Sequence, residues 1–257
     1  MTKSTHETNG DVAVLTLSNP PANLFTLEVG EDIRAGVQRA REEGARAMVI
    51  QADGAVFSGG ADVSLFKDRS LEEARDLMIG FMPILAAIED APFPVIAAVH
   101  GICFAAGLEI ALACDLIIAS ENATFALPEP RVGLAALAGG VHRLPRQIGL
   151  KRAMGMILTA RHVSAKEGLE LGFVNEVVPQ GEALAGALRW AEMITKNSPM
   201  SIRASKQTIR KGLGVSLEQA IEEQREYPAV KAMAASQDYI EGPKAFAEKR
   251  PPNSQGK

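Results

Sequence analysis

Two glutamates stand in sequence contexts that suit acid–base chemistry. Glu109 lies three residues after Ala106, in a segment, AAGLEIALA, that predicts a helix. Residues three apart share one helix face, and the first N–H groups of a helix have no intrahelical acceptor. A carboxylate and a backbone donor would then face the same point. An acidic residue near a helix start can also simply complement the helix dipole.

The second glutamate lies between two prolines, in Leu127-Pro128-Glu129-Pro130. Pro128 fixes its own φ, and Pro130 favours an extended conformation for the residue before it. The pattern predicts a stiff, extended backbone at Glu129, which is what a preorganised acid or base needs. A surface turn with a solvated carboxylate is the alternative.

A glycine-rich segment, FSGGAD at 57–62, offers further backbone donors. Paired glycines after a buried strand allow unusual φ and ψ and expose N–H groups. The segment is neither a phosphate loop nor a nucleophile elbow, because GK[ST] and GxSxG are both absent. The alternative is a plain loop in which Asp62 caps the next helix.

The elements that must position these residues follow from periodicity and from turn signals. Strands are predicted at 12–17, 47–51, 94–99, 116–119 and 174–178. Helices are predicted at 27–41, 71–88 and 105–113, a loop at 123–140, and mostly helix thereafter. We therefore expect an α/β core with the site at 1–195 and a helical oligomerisation region at 196–257.

Composition limits the classes of partner. The 257 residues include 27 basic and 31 acidic side chains, for a net charge of -4. This balance disfavours nucleic acid and anionic membranes, which reward clustered lysine and arginine. Cys103 and Cys114 lie in apolar surroundings and are expected to be buried thiols. The polar N-terminus lacks a signal core and no apolar run suits a membrane span, so a cytoplasmic protein is predicted.

The order of three segments resembles the crotonase superfamily of enoyl-CoA hydratases and isomerases. These segments are FSGGAD, AAVHGICFAAGLEIALACDLIIAS and ATFALPEPRVGLAALAGGVHRLPRQIG, and the ending IEGPKAFAEKR is also similar. The resemblance extends from Val12 to Arg250. It implies a crotonase (Clp peptidase-like) spiral of ββα units with a helical C-terminal trimerisation region, usually assembled as a dimer of trimers.

The resemblance also implies a mechanism. Glu109 and Glu129 match the catalytic pair of the hydratases, and the N–H groups of Ala61 and Ala106 match the oxyanion hole for the thioester carbonyl. With both glutamates present, reversible addition of water to a 2-enoyl-CoA is expected. Glu109 would activate the water, and Glu129 would deliver a proton to Cα. Acyl-CoA is the substrate, and neither a metal nor another cofactor is implied.

Contacts with CoA are implied for two segments. The first is the stretch after the oxyanion loop, namely Ala61, Asp62, Val63, Ser64 and Lys67. The second is the C-terminus, where Phe246, Lys249 and Arg250 could reach the CoA of a neighbouring subunit.

Within the superfamily, two other activities stay open. The block NATFALPEPRVGL and the chain ending look closest to carnitinyl-CoA dehydratase-like members, which also pair both glutamates. A Δ3–Δ2 enoyl-CoA isomerase needs only one carboxylate.

Two non-enzymatic alternatives also stay open. Ala105-Ala106 stand where the family usually has two glycines, so their methyl groups could close the hole and leave the protein catalytically silent. An RNA-binding scaffold is the other alternative. Arg203, Lys206 and Arg210 share one helix face, although such a stripe usually marks a solvated helix.

Overall fold

The computed structural model describes residues 3–257 as an α/β fold of nine strands and eleven helices. The strands are β1 Ser4–Asn9, β2 Val12–Leu17, β3 Ala47–Ala52, β4 Val95–Val99, β5 Ile102–Phe104, β6 Leu116–Ser120, β7 Thr124–Ala126, β8 Val163–Ser164 and β9 Glu176–Val178. The helices are α1 Leu27–Glu42, α2 Leu71–Glu89, α3 Ala106–Ala113, α4 Gly140–Ile148, α5 Leu150–Thr159, α6 Ala165–Leu171, α7 Ala183–Thr195, α8 Pro199–Gly212, α9 Leu217–Glu223, α10 Pro228–Ala234 and α11 Gln237–Ala247. Three 3-10 turns span Val63–Phe66, Glu129–Val132 and Gln224–Glu226.

Two sheets organise the chain. The larger has the order β1-β2-β3-β4-β6-β9, with β1 antiparallel to β2 and every other pair parallel. The smaller has the order β5-β7-β8, in which β5 and β7 are parallel. β4 and β5 are separated by two residues, so the chain passes directly from the large sheet into the small one. The start of α3 is therefore held by both sheets.

The central strands β3, β4 and β6 of the large sheet are buried on both faces, as expected for parallel strands. Side chains alternate across a strand, so β3 directs Met48 and Ile50 into one core and Ala47 and Val49 into another. Small residues of α7 cover the second core. A side chain at Gly186 would lie 3.0 Å from an Ile118 methyl, which is why the helix approaches so closely.

The sequence prediction missed four strands, namely β1, β5, β7 and the two-residue β8. β1 is polar and mostly exposed, and it is held by pairing with β2 at the sheet edge rather than by an apolar pattern. β5 and β7 have only three residues each, too few for periodicity to show. The loop predicted at 123–140 therefore contains β7 and a 3-10 turn.

The extended backbone expected at Glu129 is wrong. Glu129 is the first residue of the 3-10 turn Glu129–Val132. The backbone bonds from Arg131 N to the Pro128 carbonyl (3.0 Å) and from Leu134 N to the Glu129 carbonyl (3.0 Å) close this turn. They outweigh the local preference that Pro130 imposes on the residue before it.

The solvated basic face expected on α8 is also wrong for two of its residues. Lys206 Nζ lies 2.6 Å from a carboxylate oxygen of Asp115, and Arg210 lies 3.1 Å from Glu89. Both cations are packed inward in ion pairs, which removes most of the surface that the RNA-binding alternative rests on. Cys103 and Cys114 are buried, as expected. None of the helices within residues 3–257 is long and apolar enough to cross a membrane.

Candidate active site

The glycine-rich loop is fixed against β5 and α3 by backbone contacts. Ser58 N donates to the Ile102 carbonyl (3.0 Å), and Phe104 N donates to the Ser58 carbonyl (3.0 Å). A Cβ at Gly107 would lie 2.7 Å from Ser58 Cβ, so the first turn of α3 lies directly on the loop. Two segments far apart in the sequence thus form one rigid unit.

Gly60 and Ala105 also approach each other closely. Gly60 has φ +110°, and a Cβ built on it would lie 2.7 Å from the Ala105 methyl group. Only glycine satisfies both conditions. Ala105 itself has φ 51° and ψ -125°, so the helix begins one residue later than the sequence predicted. The N–H of Ala105 donates to the Ala126 carbonyl at 3.0 Å.

This contact brings two backbone donors to one cavity. The N–H groups beside Ala61 are occupied, because Gly60 donates to Ser58 Oγ (3.2 Å) and Asp62 donates to the Phe25 carbonyl (3.0 Å). Within residues 3–257, neither the N–H of Ala61 nor that of Ala106, the first residue of α3, donates a hydrogen bond. Both residues line the same cavity.

The cavity has a volume of about 630 Å³ and a mainly apolar wall. Its described lining includes three charged side chains, those of Glu109, Glu129 and Arg131. The remaining lining residues are Gly59, Ala61, Val63, Phe81, Ala105, Ala106, Pro128, Val132, Gly133, Leu134, Ala135, Leu137 and Ala138. A pocket of this kind suits an apolar group whose reactive end meets a few polar atoms.

Glu109 is held by the start of α4. Its side chain is buried, with the residue 3% exposed, and Oε1 accepts a hydrogen bond from Gly140 N at 2.8 Å. The pKa of Glu109 is raised to about 7, chiefly by burial; the Gly140 N–H opposes the shift, and the neighbouring charge of Glu129 contributes to it. A carboxyl group with this pKa exchanges protons readily near neutral pH.

Glu129 presents an unpaired oxygen. Its Oε2 is buried and has no hydrogen-bond partner among the residues described. Burial raises the pKa of this carboxyl group as well. Buried oxygens without a hydrogen-bond partner are rare in native proteins, so we expect Glu129 Oε2 to bind a water molecule or a substrate.

The structure brings five of the predicted site residues to the cavity: Ala61, Val63, Ala106, Glu109 and Glu129. The other predicted CoA contacts lie outside its described lining. Asp62 caps the turn Val63–Phe66 by accepting from Ser64 N at 2.9 Å, and Lys67 is exposed.

At the C-terminus, Phe246 and Lys249 are exposed and do not line the cavity within a single chain. Arg250 pairs with Glu241 at 2.6 Å, so its guanidinium group is already occupied.

The prediction from sequence missed the residues that hold Glu109. Gly140 supplies the N–H donor, and Arg143 donates from Nη1 to the Ala138 carbonyl at 2.9 Å just before it. The consecutive glycines Gly139-Gly140 at a helix start were the available signal, since free N–H groups at such a place bind anions.

Comparison with known proteins finds relatives that match nearly the whole chain. Residues 7–257 match the family model described as enoyl-CoA hydratase/isomerase. A carnitinyl-CoA dehydratase of Salmonella typhi is 35% identical, with 100% of both chains covered. The structure of Pseudomonas aeruginosa DspI has a TM-score of 0.93 at 36% identity, covering 99% of this chain and 97% of that one. An enoyl-CoA hydratase from Bacillus anthracis has a TM-score of 0.92 at 32% identity, covering 99% and 100%.

The family match over nearly the full length, the full-length curated relative and the structural neighbours all indicate the same family. The chain belongs to the enoyl-CoA hydratase/isomerase family, the crotonase superfamily, and is an enzyme of that superfamily.

Proposed function

We propose that this enzyme adds water reversibly to the double bond of a 2-enoyl-CoA thioester. The observation that carries the proposal is the cavity, which holds the buried carboxyl group of Glu109, the half-buried Glu129 with its unpaired oxygen, and two unoccupied N–H donors. An apolar wall with few polar atoms excludes bulk water and strengthens electrostatic contacts with the reacting group. Membership of the hydratase/isomerase family supports the same reaction class.

In the proposed mechanism, the thioester oxygen accepts hydrogen bonds from the N–H groups of Ala61 and Ala106. Negative charge that develops on this oxygen during addition at Cβ is stabilised there, and one such donor typically contributes about 3–4 kcal/mol. Glu109, kept partly ionised by the Gly140 N–H, removes a proton from the attacking water. Glu129 delivers a proton to Cα, and the reverse steps give dehydration.

The unpaired oxygen of Glu129 favours hydration over isomerisation. An isomerase moves one proton and needs one carboxylate, whereas hydration needs a second group to bind water and supply a proton. The test is loss of the conjugated enoyl-thioester absorbance of crotonyl-CoA. We expect Glu109→Gln and Glu129→Gln each to lower kcat by at least 100-fold, and the exposed Glu170→Gln to leave it unchanged.

Two results would contradict this proposal. Full activity in Glu129→Gln with loss in Glu109→Gln would support the isomerase. Binding of crotonyl-CoA without turnover in the wild-type enzyme would support the catalytically silent alternative, in which the methyl groups of Ala105 and Ala106 close the oxyanion hole.

The curated relative makes carnitinyl-CoA dehydration a second candidate. The apolar cavity wall, which includes Val132, Leu134 and Leu137, supports an uncharged acyl chain better than a charged acyl group. Dehydration of carnitinyl-CoA forms the enoyl chromophore, so one absorbance assay compares both substrates. A higher kcat/KM for carnitinyl-CoA than for 3-hydroxybutyryl-CoA would favour the second candidate.

We further propose that the chain forms the ββα spiral and the trimer, or dimer of trimers, that the family resemblance implies. Phe246, at the end of α11, is 87% exposed in the single chain. An apolar side chain so open to solvent supports a contact with another subunit. Together with Lys249, Phe246 would then complete a neighbour's CoA site.

A further inference from the structure

A cluster of five charged side chains lies behind the cavity, outside its lining. Arg143 of α4, Glu89 at the end of α2, Arg210 and Lys206 of α8, and Asp115 before β6 form it. Glu89 binds Arg143 through both oxygens, at 2.8 Å and 2.7 Å. With all five ionised, three cations and two anions leave one net positive charge.

Arg143 connects this cluster to the turn that binds Glu109. Its Nη1 donates to the Ala138 carbonyl at 2.9 Å, two residues before the Gly140 N–H. The guanidinium group lies over Gly139, since a Cβ there would be 1.8 Å from Nη1. Gly139 has φ +116°, so the turn needs glycine for its backbone as well as for this space.

We propose that Arg143 is a positioning residue for Glu109. It holds the turn formed by Ala138, Gly139 and Gly140 so that the Gly140 N–H stays on the carboxylate, and it places the positive charge of the cluster beside it. This inference rests on the proposed function, because it assigns Arg143 a task in the reaction that Glu109 performs.

The charged groups around Glu109 support this arrangement. Arg143 approaches from α4, Glu129 and Arg131 line the same cavity as Glu109, and Glu89 at the end of α2 pairs with Arg143. The positive charge of Arg143 and the Gly140 N–H both lower the pKa of Glu109 against the larger effect of burial, while Glu129 raises it. Loss of Arg143 therefore removes a positive charge near Glu109 and also loosens the Gly140 N–H donor. Both effects disfavour the ionised form of Glu109.

The test measures the protonation of Glu109 without any substrate. In the full-length protein labelled with ¹³C at glutamate side-chain carboxyl groups, Glu109→Gln identifies the Glu109 resonance, which is then titrated. We expect Arg143→Met to shift the Glu109 midpoint upward by about one pH unit. Arg143→Lys, which restores the charge but not the two-pronged contact with Glu89, should return most of that shift.

A matched control separates this role from general stabilisation. Arg46 is also partly buried and also binds a carboxylate and a carbonyl, Asp11 at 3.3 Å and Asn197 O at 2.7 Å. Arg46→Met should lower thermal stability but leave the Glu109 midpoint unchanged. If Arg143→Met does not fold, Glu89→Gln replaces it, because weaker anchoring of Arg143 should then also change the midpoint.

Activity provides the second measurement. With crotonyl-CoA, Arg143→Met should move the acid limb of the kcat/KM profile upward and lower kcat about fivefold at pH 7, with KM little changed. An unshifted Glu109 midpoint in folded Arg143→Met would overturn the inference. A shifted midpoint in a protein that hydrates no enoyl-CoA would instead uphold the positioning role and reject the proposed function.

Discussion

At the scale of single residues, burial of Glu109 gives the protein a pH-dependent stability. The pKa of this group is raised from 4.5 to about 7, so the folded state binds a proton more tightly than the unfolded chain does. The stability that this difference contributes is complete below about pH 4.5 and is lost as the pH rises through 7. The cost of holding a buried carboxylate is therefore largest above pH 7.

Glu109→Gln should remove this pH dependence. We expect the free energy of unfolding of the variant, minus that of the wild type, to increase by about 3 kcal/mol between pH 4.5 and pH 8. Urea denaturation of both proteins across this range measures the difference, in which unaltered groups cancel. A difference that stays constant with pH would contradict the raised pKa.

Ala105 is a second residue whose conformation can be tested. Its φ of 51° with ψ of -125° is unfavourable for alanine but accessible to glycine. Ala105→Gly should stabilise the protein by about 1 kcal/mol, since relief of backbone strain exceeds the added entropy of the unfolded chain. Ala106→Gly is the matched control, and there a loss of about 0.5 kcal/mol is expected because Ala106 is helical. Denaturation midpoints measure both changes.

At the scale of elements, the contact between the glycine-rich loop and α3 decides whether the two N–H donors stay together. Gly60→Ala would place a methyl group 2.7 Å from that of Ala105 and would also strain a backbone with φ +110°. We expect a loss of at least 100-fold in kcat/KM for crotonyl-CoA, because displacement of Ala61 removes one oxyanion donor. Steady-state kinetics on the folded variant measure this loss.

Two further variants isolate the steric part of that effect. Gly54 also has positive φ (+84°), but a Cβ there would meet open space, so Gly54→Ala should cost stability and spare activity. Ala105→Gly combined with Gly60→Ala removes the facing methyl group and should restore part of the activity. Absence of any rescue would show that the backbone of Gly60, rather than its contact with Ala105, controls the site.

The predictability of each element follows from the length of its pattern. α1 and β3 were predicted within a residue or two because their apolar periodicity extends over six or more positions. β1 escaped prediction because pairing with β2 rather than apolar burial defines it, and β5 because three residues carry no period.

The same reasoning explains which parts of the site were predictable. Glu109 and Glu129 stood out by type and local context, whereas Ala61 and Ala106 were implied by the resemblance to the crotonase superfamily. The hydrogen bond from Gly140 to Glu109, and the contact of Arg143 with the same turn, depend on how α4 packs against α3. A local pattern in a single sequence does not predict that packing. The 3-10 turn at Glu129 is likewise set by bonds that close across the turn.

At the scale of the whole molecule, the C-terminal helices leave more apolar surface open than a single chain should tolerate. Large side chains on α8, α9 and α11 are more than half exposed: Ile209, Leu217, Ile221, Tyr239 and Ile240. The proposed trimer accounts for them, because three copies could cover this surface together.

A charge placed in that surface should therefore dissociate the assembly. We expect the wild-type protein to have three or six times the mass of one 27.3 kDa chain by light scattering, and Leu217→Asp to shift it towards the single-chain mass. Leu217 is 77% exposed, so the substitution does not disturb the core of its own subunit. Leu158→Asp on α5, where the leucine is 66% exposed, is the matched control and should keep the wild-type mass.

If Phe246 of one subunit completes the site of another, Leu217→Asp should also raise the KM for crotonyl-CoA more than it lowers kcat. A wild-type protein that is monomeric and fully active would show instead that one chain forms the whole site.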